Sequence, residues 1–77
     1  MADYIVVQEN EKLYPGIAKL NKLYVKPSPD FTEKYEIIND NETMGIYTTE
    51  KRCMAIIQDI IYCFDSFDTN FFKMPKE

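Results

Sequence analysis

The sequence predicts an α+β domain in which an antiparallel sheet of about four to five strands carries one amphipathic helix on one face, in the order β-β-β-β-α-β. Two observations predict it. Short runs alternate apolar and polar residues at the period of a strand, and turn residues separate them. The stretch 49–64 instead has helical spacing, and its apolar stripe needs a sheet to cover it. A chain of 77 residues fits one domain, 1–77.

The helix is predicted to begin at Thr49 and Glu50, because a side-chain oxygen caps the first free amides and an acid favours the positive end of the helix dipole. Its apolar stripe, at helical spacing, is Cys53, Ile57, Ile60 and Phe64, flanked by Met54, Ile56 and Ile61. The side predicted to face away from the sheet carries Ala55, Gln58, Asp59 and Tyr62.

The first strand is predicted at 4–8, a β-branched run that is apolar on both faces and therefore central in its sheet. Two interpretations fit 15–21. Pro15 starts either a short helix with Ile17, Leu20 and Leu23 on one face, or an irregular turn that lasts until the next strand. We favour the irregular turn.

Three more strands are expected before the helix and one after it. Leu23 and Val25 alternate with polar residues over 22–26, and two prolines end that run. The runs 32–38 and 43–48 flank the turn-forming residues 39–42, which predicts a hairpin. After the polar loop 65–70, in which Phe67 is expected to be buried, a last strand ends before Pro75.

Charge narrows the class of partner. The formal net charge of −4 is the wrong sign for a protein that binds nucleic-acid backbones, so no direct nucleic-acid contact is expected. Only Lys34 opposes the acids of 30–50, which are Asp30, Glu33, Glu36, Asp40, Glu42 and Glu50. This pattern predicts a solvated acidic edge or, alternatively, a patch around Glu33 and Glu36 that meets a basic partner such as a nucleic-acid-binding enzyme.

The inventory of reactive residues does not predict an enzyme. With no His, the Ser-His-Asp and Cys-His arrangements and a structural zinc site are excluded. Gly16 and Gly45 are too far apart for a phosphate loop, and no cofactor is expected. The oxygen ligands of the loop, Asp65, Asp68 and Asn70, lack the spacing of a calcium site and are interpreted as turn residues.

The two cysteines indicate a reducing compartment. Cys53 and Cys63 lie about 15 Å apart on one helix, which is too far for a disulfide. Cys53 is expected in the core and Cys63 at its margin, with a disulfide between two copies through Cys63 as the alternative. No secretory segment and no apolar run of about 20 residues is found, so a cytoplasmic protein without a membrane span is expected.

One surface is predicted to bind a partner. It is the outer side of the helix, where Tyr62 stands beside Ala55, Gln58 and Asp59. A solvent-facing Tyr supplies a large contact area at small entropic cost, which makes it a common interface residue.

The stretch Gly45-Ile46-Tyr47-Thr48-Thr49-Glu50-Lys51-Arg52 and its continuation to Ile60 resemble small uncharacterised proteins of phages and prophages in Firmicutes. Their pattern is Gly-x-Tyr-x-Thr-Glu-x-Arg-Ala, two apolar residues, Gln-Glu-Ile and a closing aromatic-x-Met-Pro-x-Glu, matched here by 72–77. Cys53 stands where that family usually has Ala, and Met54 and Ala55 stand where it is usually charged. The resemblance implies a phage or prophage protein that works in the cytoplasm of the host cell.

Three hypotheses follow. The first is a non-catalytic binding protein that inhibits or modulates a host protein, for example in a defence system, as anti-CRISPR proteins do. The second is an assembly module that forms a homodimer, since association stabilises a marginal domain. The third is a protein that sequesters a small nucleotide in a pocket shared between subunits.

Overall fold

The structure, a computed structural model, describes residues 3–66 and 69–77. Within these residues the elements are β1 (Tyr4–Val6), β2 (Ile17–Lys19), β3 (Leu23–Pro27), β4 (Tyr35–Asn39), β5 (Glu42–Tyr47), α1 (Glu50–Ser66) and β6 (Phe71–Lys73). The α+β class is confirmed. The single sheet of four to five strands is wrong, because the strands form two three-stranded sheets.

The first sheet has the order β2-β1-β6, so β1 is central as predicted. β1 pairs with β2 in antiparallel fashion but with β6 in parallel fashion, whereas the sequence predicts only antiparallel strands. The irregular turn expected at 15–21 is also wrong. Backbone bonds from Val7 N to Gly16 O (2.9 Å) and from Leu20 N to Asp3 O (2.7 Å) hold this segment along β1 as a strand.

The second sheet is an antiparallel meander of β3, β4 and β5. The hairpin predicted at 39–42 is present. Asp40 and Asn41 have φ angles of 51° and 73°. Two consecutive left-handed residues match the right-handed twist of the strands, and Asp and Asn tolerate that conformation best after glycine.

The helix begins as predicted. The hydroxyl oxygen Oγ1 of Thr49 accepts a bond of 3.0 Å from the amide of Arg52, as an N-cap does. α1 contacts β3, β4 and β5, and its fully buried residues are Cys53, Ile56 and Ile60. Ile57 and Phe64 are half-buried, so the buried stripe is centred closer to Ile56 than predicted. No helix in 3–66 or 69–77 is long and apolar enough to cross a membrane.

The hydrophobic core draws on both sheets and on the helix. Its buried members are Ile5, Ile37, Met44, Tyr47, Cys53, Ile56, Ile60 and Met74. Met74 lies beyond the last strand, and its amide bonds to Val6 O at 3.1 Å. The segment after β6 is thus part of the packed structure.

The side-chain amide of Gln8 joins the first sheet to β5. Gln8 is only 2% exposed. Its Oε1 accepts from Ile46 N at 2.8 Å, while its Nε2 donates to Ile46 O at 3.2 Å and to Lys76 O at 2.8 Å. Its own backbone amide donates to Met44 O at 2.9 Å. The side-chain amide of Gln8 therefore bonds to the edge of β5 as the backbone of a neighbouring strand would.

Asn39 makes a second junction at the other end of the sheets. Its Nδ2 donates to Lys19 O at 2.9 Å, and its Oδ1 accepts from Asn21 N at 2.8 Å. Asn39 itself is only 2% exposed, while its two partners belong to exposed residues, so both bonds are partly shielded from water. Two buried amide side chains thus connect sheets that are separate as backbone ladders.

The expectation of a solvated carboxylate at Glu36 is wrong, because this residue is only 5% exposed. Its Oε2 accepts from Ser28 Oγ at 2.9 Å, and its Oε1 accepts from Thr43 Oγ1 at 3.1 Å. These two hydroxyls replace water around the carboxylate. The sequence did not predict this burial, since the hydroxyls come from a loop and from a neighbouring strand.

We predict that Gly45→Ala destabilises the protein by about 1–3 kcal/mol, the usual cost of overpacking a core. A methyl group on Gly45 would lie 2.6 Å from Cε2 and 2.7 Å from Oη of Tyr47. That ring is fully buried and donates a bond of 2.7 Å from Oη to Pro75 O, so it cannot move aside freely. Urea unfolding measures the change.

The matched control is Gly16→Ala, because nothing lies within 4 Å of a methyl group at Gly16 and its φ is not positive. This variant should stay within about 0.5 kcal/mol of the parent protein. Equal effects of the two substitutions would show that the contact between Gly45 and Tyr47 is not tight.

Candidate functional site

The side of α1 that faces away from the sheets exposes several large apolar side chains. We call the helix outer face the set Met54, Ala55, Gln58, Asp59, Ile61 and Tyr62, all of which are exposed. Three of them are large apolar residues with exposures of 48% at Met54, 55% at Ile61 and 62% at Tyr62. The partner-binding residues predicted on the helix all belong to this face.

Met54 and Ile61 lie two turns apart and project on the same side of the helix. Half-buried Ile57 lies between them and the core. Beside Ile61 is an open groove of about 360 Å³, whose apolar lining includes Leu20, Ile57 and Phe64. The apolar surface therefore continues from the helix to the segment that links β2 and β3.

Negative charge surrounds this surface at the C-terminal end of the helix. The last turn holds no basic residue, and Asp65 lies there and lines the groove together with Asp3. The free carbonyls of a helix C-terminus are also electronegative. A cation brought by a partner is favoured at this end.

The two acids predicted outside the helix do not extend this surface. Glu36 is buried on the sheet face opposite to Ile37, the residue that packs in the core with the helix. Glu33 is exposed, with a φ of 62°, in the loop between β3 and β4. The hydroxyl of Ser28 in the same loop bonds to Glu36, so this loop belongs to that opposite face.

A second exposed surface was missed in the sequence. On the outer side of the first sheet, the rings of Tyr4 and Phe71 stack with centroids 5.7 Å apart and an angle of 24° between their planes. Ile17 on β2 is 60% exposed. The alternation of Ile17 and Lys19 about Ala18 was the available signal, but a three-residue strand is too short to stand out by periodicity.

The reactive groups of the helix are placed as predicted. Both cysteines are free, with Cys53 buried and Cys63 half-buried. Burial raises the pKa of the Cys53 thiol to about 11, which makes it a poor nucleophile at neutral pH. Among residues 3–66 and 69–77, no three His, Cys, Asp or Glu side chains are grouped as metal ligands. Phe67 and Asp68, named in the sequence predictions, lie outside the described residues.

The chain was also compared with known proteins. No protein-family model, curated sequence or solved structure matches it. The resemblance to phage proteins therefore stays a prediction, and the surfaces described above are the observations on which a function can be based.

Because burial raises the pKa of the Cys53 thiol, we predict that the free energy of unfolding falls in alkali. An unfolded thiol releases its proton near pH 9, whereas the folded thiol keeps it up to about pH 11. Between these values the folded state binds more protons, so the free energy of unfolding falls as pH rises. Urea unfolding from pH 8 to pH 11 should show this slope.

The control is Cys53→Ala, which is less stable at every pH but lacks this proton. Between pH 9 and pH 10 the free energy of unfolding of this variant should fall less steeply with pH. The difference in slope should correspond to at most one bound proton. Above pH 10 Tyr47 adds a slope of the same sign in both proteins, because burial raises the pKa of its phenol. Parallel curves for parent and variant below pH 10 would contradict the assignment.

Proposed function

We propose that this chain is a non-catalytic binding protein of phage or prophage origin that inhibits or modulates a host protein through the helix outer face. The observation that supports this most is the exposure of Met54 and Ile61 on one side of α1. Their side chains lie outside the core while Ile56 and Ile60 fill it, so the domain does not need them for its own packing.

The mode of contact that fits is a helix laid against an apolar groove of the partner. In that mode, apolar residues at spacings of three, four and seven anchor the helix. Met54, Ile57 and Ile61 have this spacing, and Tyr62 adds aromatic area at the edge. Gln58 and Asp59 then form the polar rim.

Charge favours a partner that is basic where it meets the C-terminal end of α1, whereas exposed Lys51 places a cation at the other end of the same side. The helix outer face contains Asp59, and Asp65 follows at the C-terminal end of α1, where the helix dipole is also negative. Host enzymes that bind nucleic acids carry basic surfaces. An enzyme of a defence system is therefore the partner class we favour.

The resemblance to phage proteins supports the same proposal. Met54 stands where that family is usually charged, and it is 48% exposed. Cys53, the neighbouring departure, is fully buried. Met54, the exposed difference from the family pattern, adds apolar surface that a partner can reach. Cys53, the buried difference, changes only the packing of the core.

We predict that Met54→Ala combined with Ile61→Ala weakens partner binding at least tenfold. Truncation removes apolar contact area, whereas alanine keeps the helix stable. The tagged protein would capture partners from a Firmicutes host lysate, and purified partner would then give the dissociation constants. Unfolding free energies of parent and variant should differ by no more than about 1 kcal/mol, since both positions are half-exposed.

The matched control is Tyr14→Ala, which removes a residue that is 94% exposed and lies outside the helix. This variant should bind like the parent. If the double variant keeps its partner within twofold, the helix outer face is not the interface. Sedimentation at two concentrations checks the homodimer alternative, because a dimer lost only in the double variant would identify a second copy as the occupant.

A further inference from the structure

β2 has a free edge on the first sheet. In its antiparallel pairing with β1, Gly16, Ala18 and Leu20 face β1, as the bonds from Val7 N to Gly16 O and from Leu20 N to Asp3 O show. The backbone groups of Ile17 and Lys19 therefore point away from β1. Asn39 Nδ2 already bonds to Lys19 O. The N–H and C=O of Ile17 remain open at the edge, whereas the side chain of Asn39 covers it between Lys19 O and Asn21 N.

An open groove runs along this edge. It has a volume of about 510 Å³, within the usual range of ligand sites. One wall is the segment from Ile17 to Asn21, and the other is formed by Asn39, Asp40 and Glu42 at the β4–β5 turn. A strand added to β2 would lie about 4.8 Å from it, on the side that this groove borders.

The walls of the groove are acidic on balance. Asp40 and Glu42 are exposed, and neither forms an ion pair with the residues that the structure describes. Lys19 is the cation of the lining, and its side chain lies on the outer face of the sheet with Ile17. A segment with basic side chains thus complements this groove better than an acidic one.

We propose that the edge of β2 accepts an extended, basic segment of a partner protein as an added antiparallel strand. The segment exchanges two backbone hydrogen bonds with Ile17 and leaves the edge before Lys19, where Asn39 already occupies the position of a paired residue. Its basic side chains lie beside Asp40 and Glu42. This groove shares Leu20 and Asn21 with the groove beside Ile61 but none of the residues of the helix outer face, so the proposal stands without the function proposed above.

The probe is a capped eight-residue peptide of alternating threonine and lysine, with a threonine–glutamate peptide as its charge control. Amide shifts of the labelled protein, recorded during titration with each peptide, locate and quantify binding. Saturable shifts centred on the amide of Ile17 are expected with the lysine peptide. The glutamate peptide should bind at least tenfold more weakly.

Variants of the protein test the two halves of the site. Ile17→Pro removes an outward N–H and leaves the bonds of Ala18 to β1 in place, so it should weaken binding at least tenfold. Asp40→Asn with Glu42→Gln keeps the shape of the turn and removes its charge, and it should weaken binding by a similar factor. Glu33→Gln, which removes an exposed acid outside the groove, is the matched control and should bind like the parent.

A third experiment changes the peptide and leaves the protein unchanged. Methylating alternate backbone nitrogens of the lysine peptide removes the donors along one of its edges, and this should abolish the shifts at Ile17. Shifts that centre elsewhere, equal affinity for the glutamate peptide, or full binding by the methylated peptide would each overturn the proposal. If Ile17→Pro does not fold, the charge variant and the methylated peptide still decide the outcome.

Discussion

The structure depends most on the buried side chain of Gln8. It lies just beyond the central strand of the first sheet and bonds to both backbone groups of Ile46 in the second. It also bonds to Lys76 O, which fixes the segment after the last strand. Tyr47 Oη and Arg52 Nη2 hold the same segment through Pro75 O and Glu77 O, at 2.7 Å and 2.6 Å. One amide thus connects two sheets and the end of the chain, and without it the buried N–H and C=O of Ile46 would lose this partner.

The packing of the core leaves one apolar side of the helix exposed. With both sheets joined, the core takes only Cys53, Ile56 and Ile60 as fully buried residues of α1. The apolar side chains at Met54 and Ile61 then lie outside the core and are open to a partner. The same junctions leave β2 at an edge, because Asn39 ties only its far end, at Lys19 O, to the second sheet.

Local features could be predicted from the sequence because their causes are local. The cap at Thr49, the buried line of Cys53 and Ile60, and the hairpin at Asp40 and Asn41 each depend on residues within a few positions. The pairing of β1 with β6 was not predictable in this way, since it joins Ile5 to Phe72 across most of the chain. Glu36 and Gln8 were missed for the same reason: their hydrogen-bond partners are set by tertiary structure.

The same distinction between local and long-range causes applies to the candidate site. The exposure of Gln58, Asp59 and Tyr62 follows from helical periodicity, so the sequence could place them on one face. That Ile61 belongs to this face rather than to the core depends on how the helix is rotated over β3 and β4. The edge of β2 and the acidic groove beside it depend on strand pairing, and a strand of three residues is too short to predict that pairing from its sequence.

The most direct test of this account is the unfolding of Gln8→Met, which keeps the volume of the side chain but removes its amide. Breaking the junction should lower the free energy of unfolding by about 1–3 kcal/mol and speed hydrogen exchange at the amide of Ile46. Gln58→Met, on the exposed helix, should change neither quantity by a measurable amount. A Gln8→Met protein that matches the parent within about 0.5 kcal/mol, with Ile46 still protected, would contradict the account.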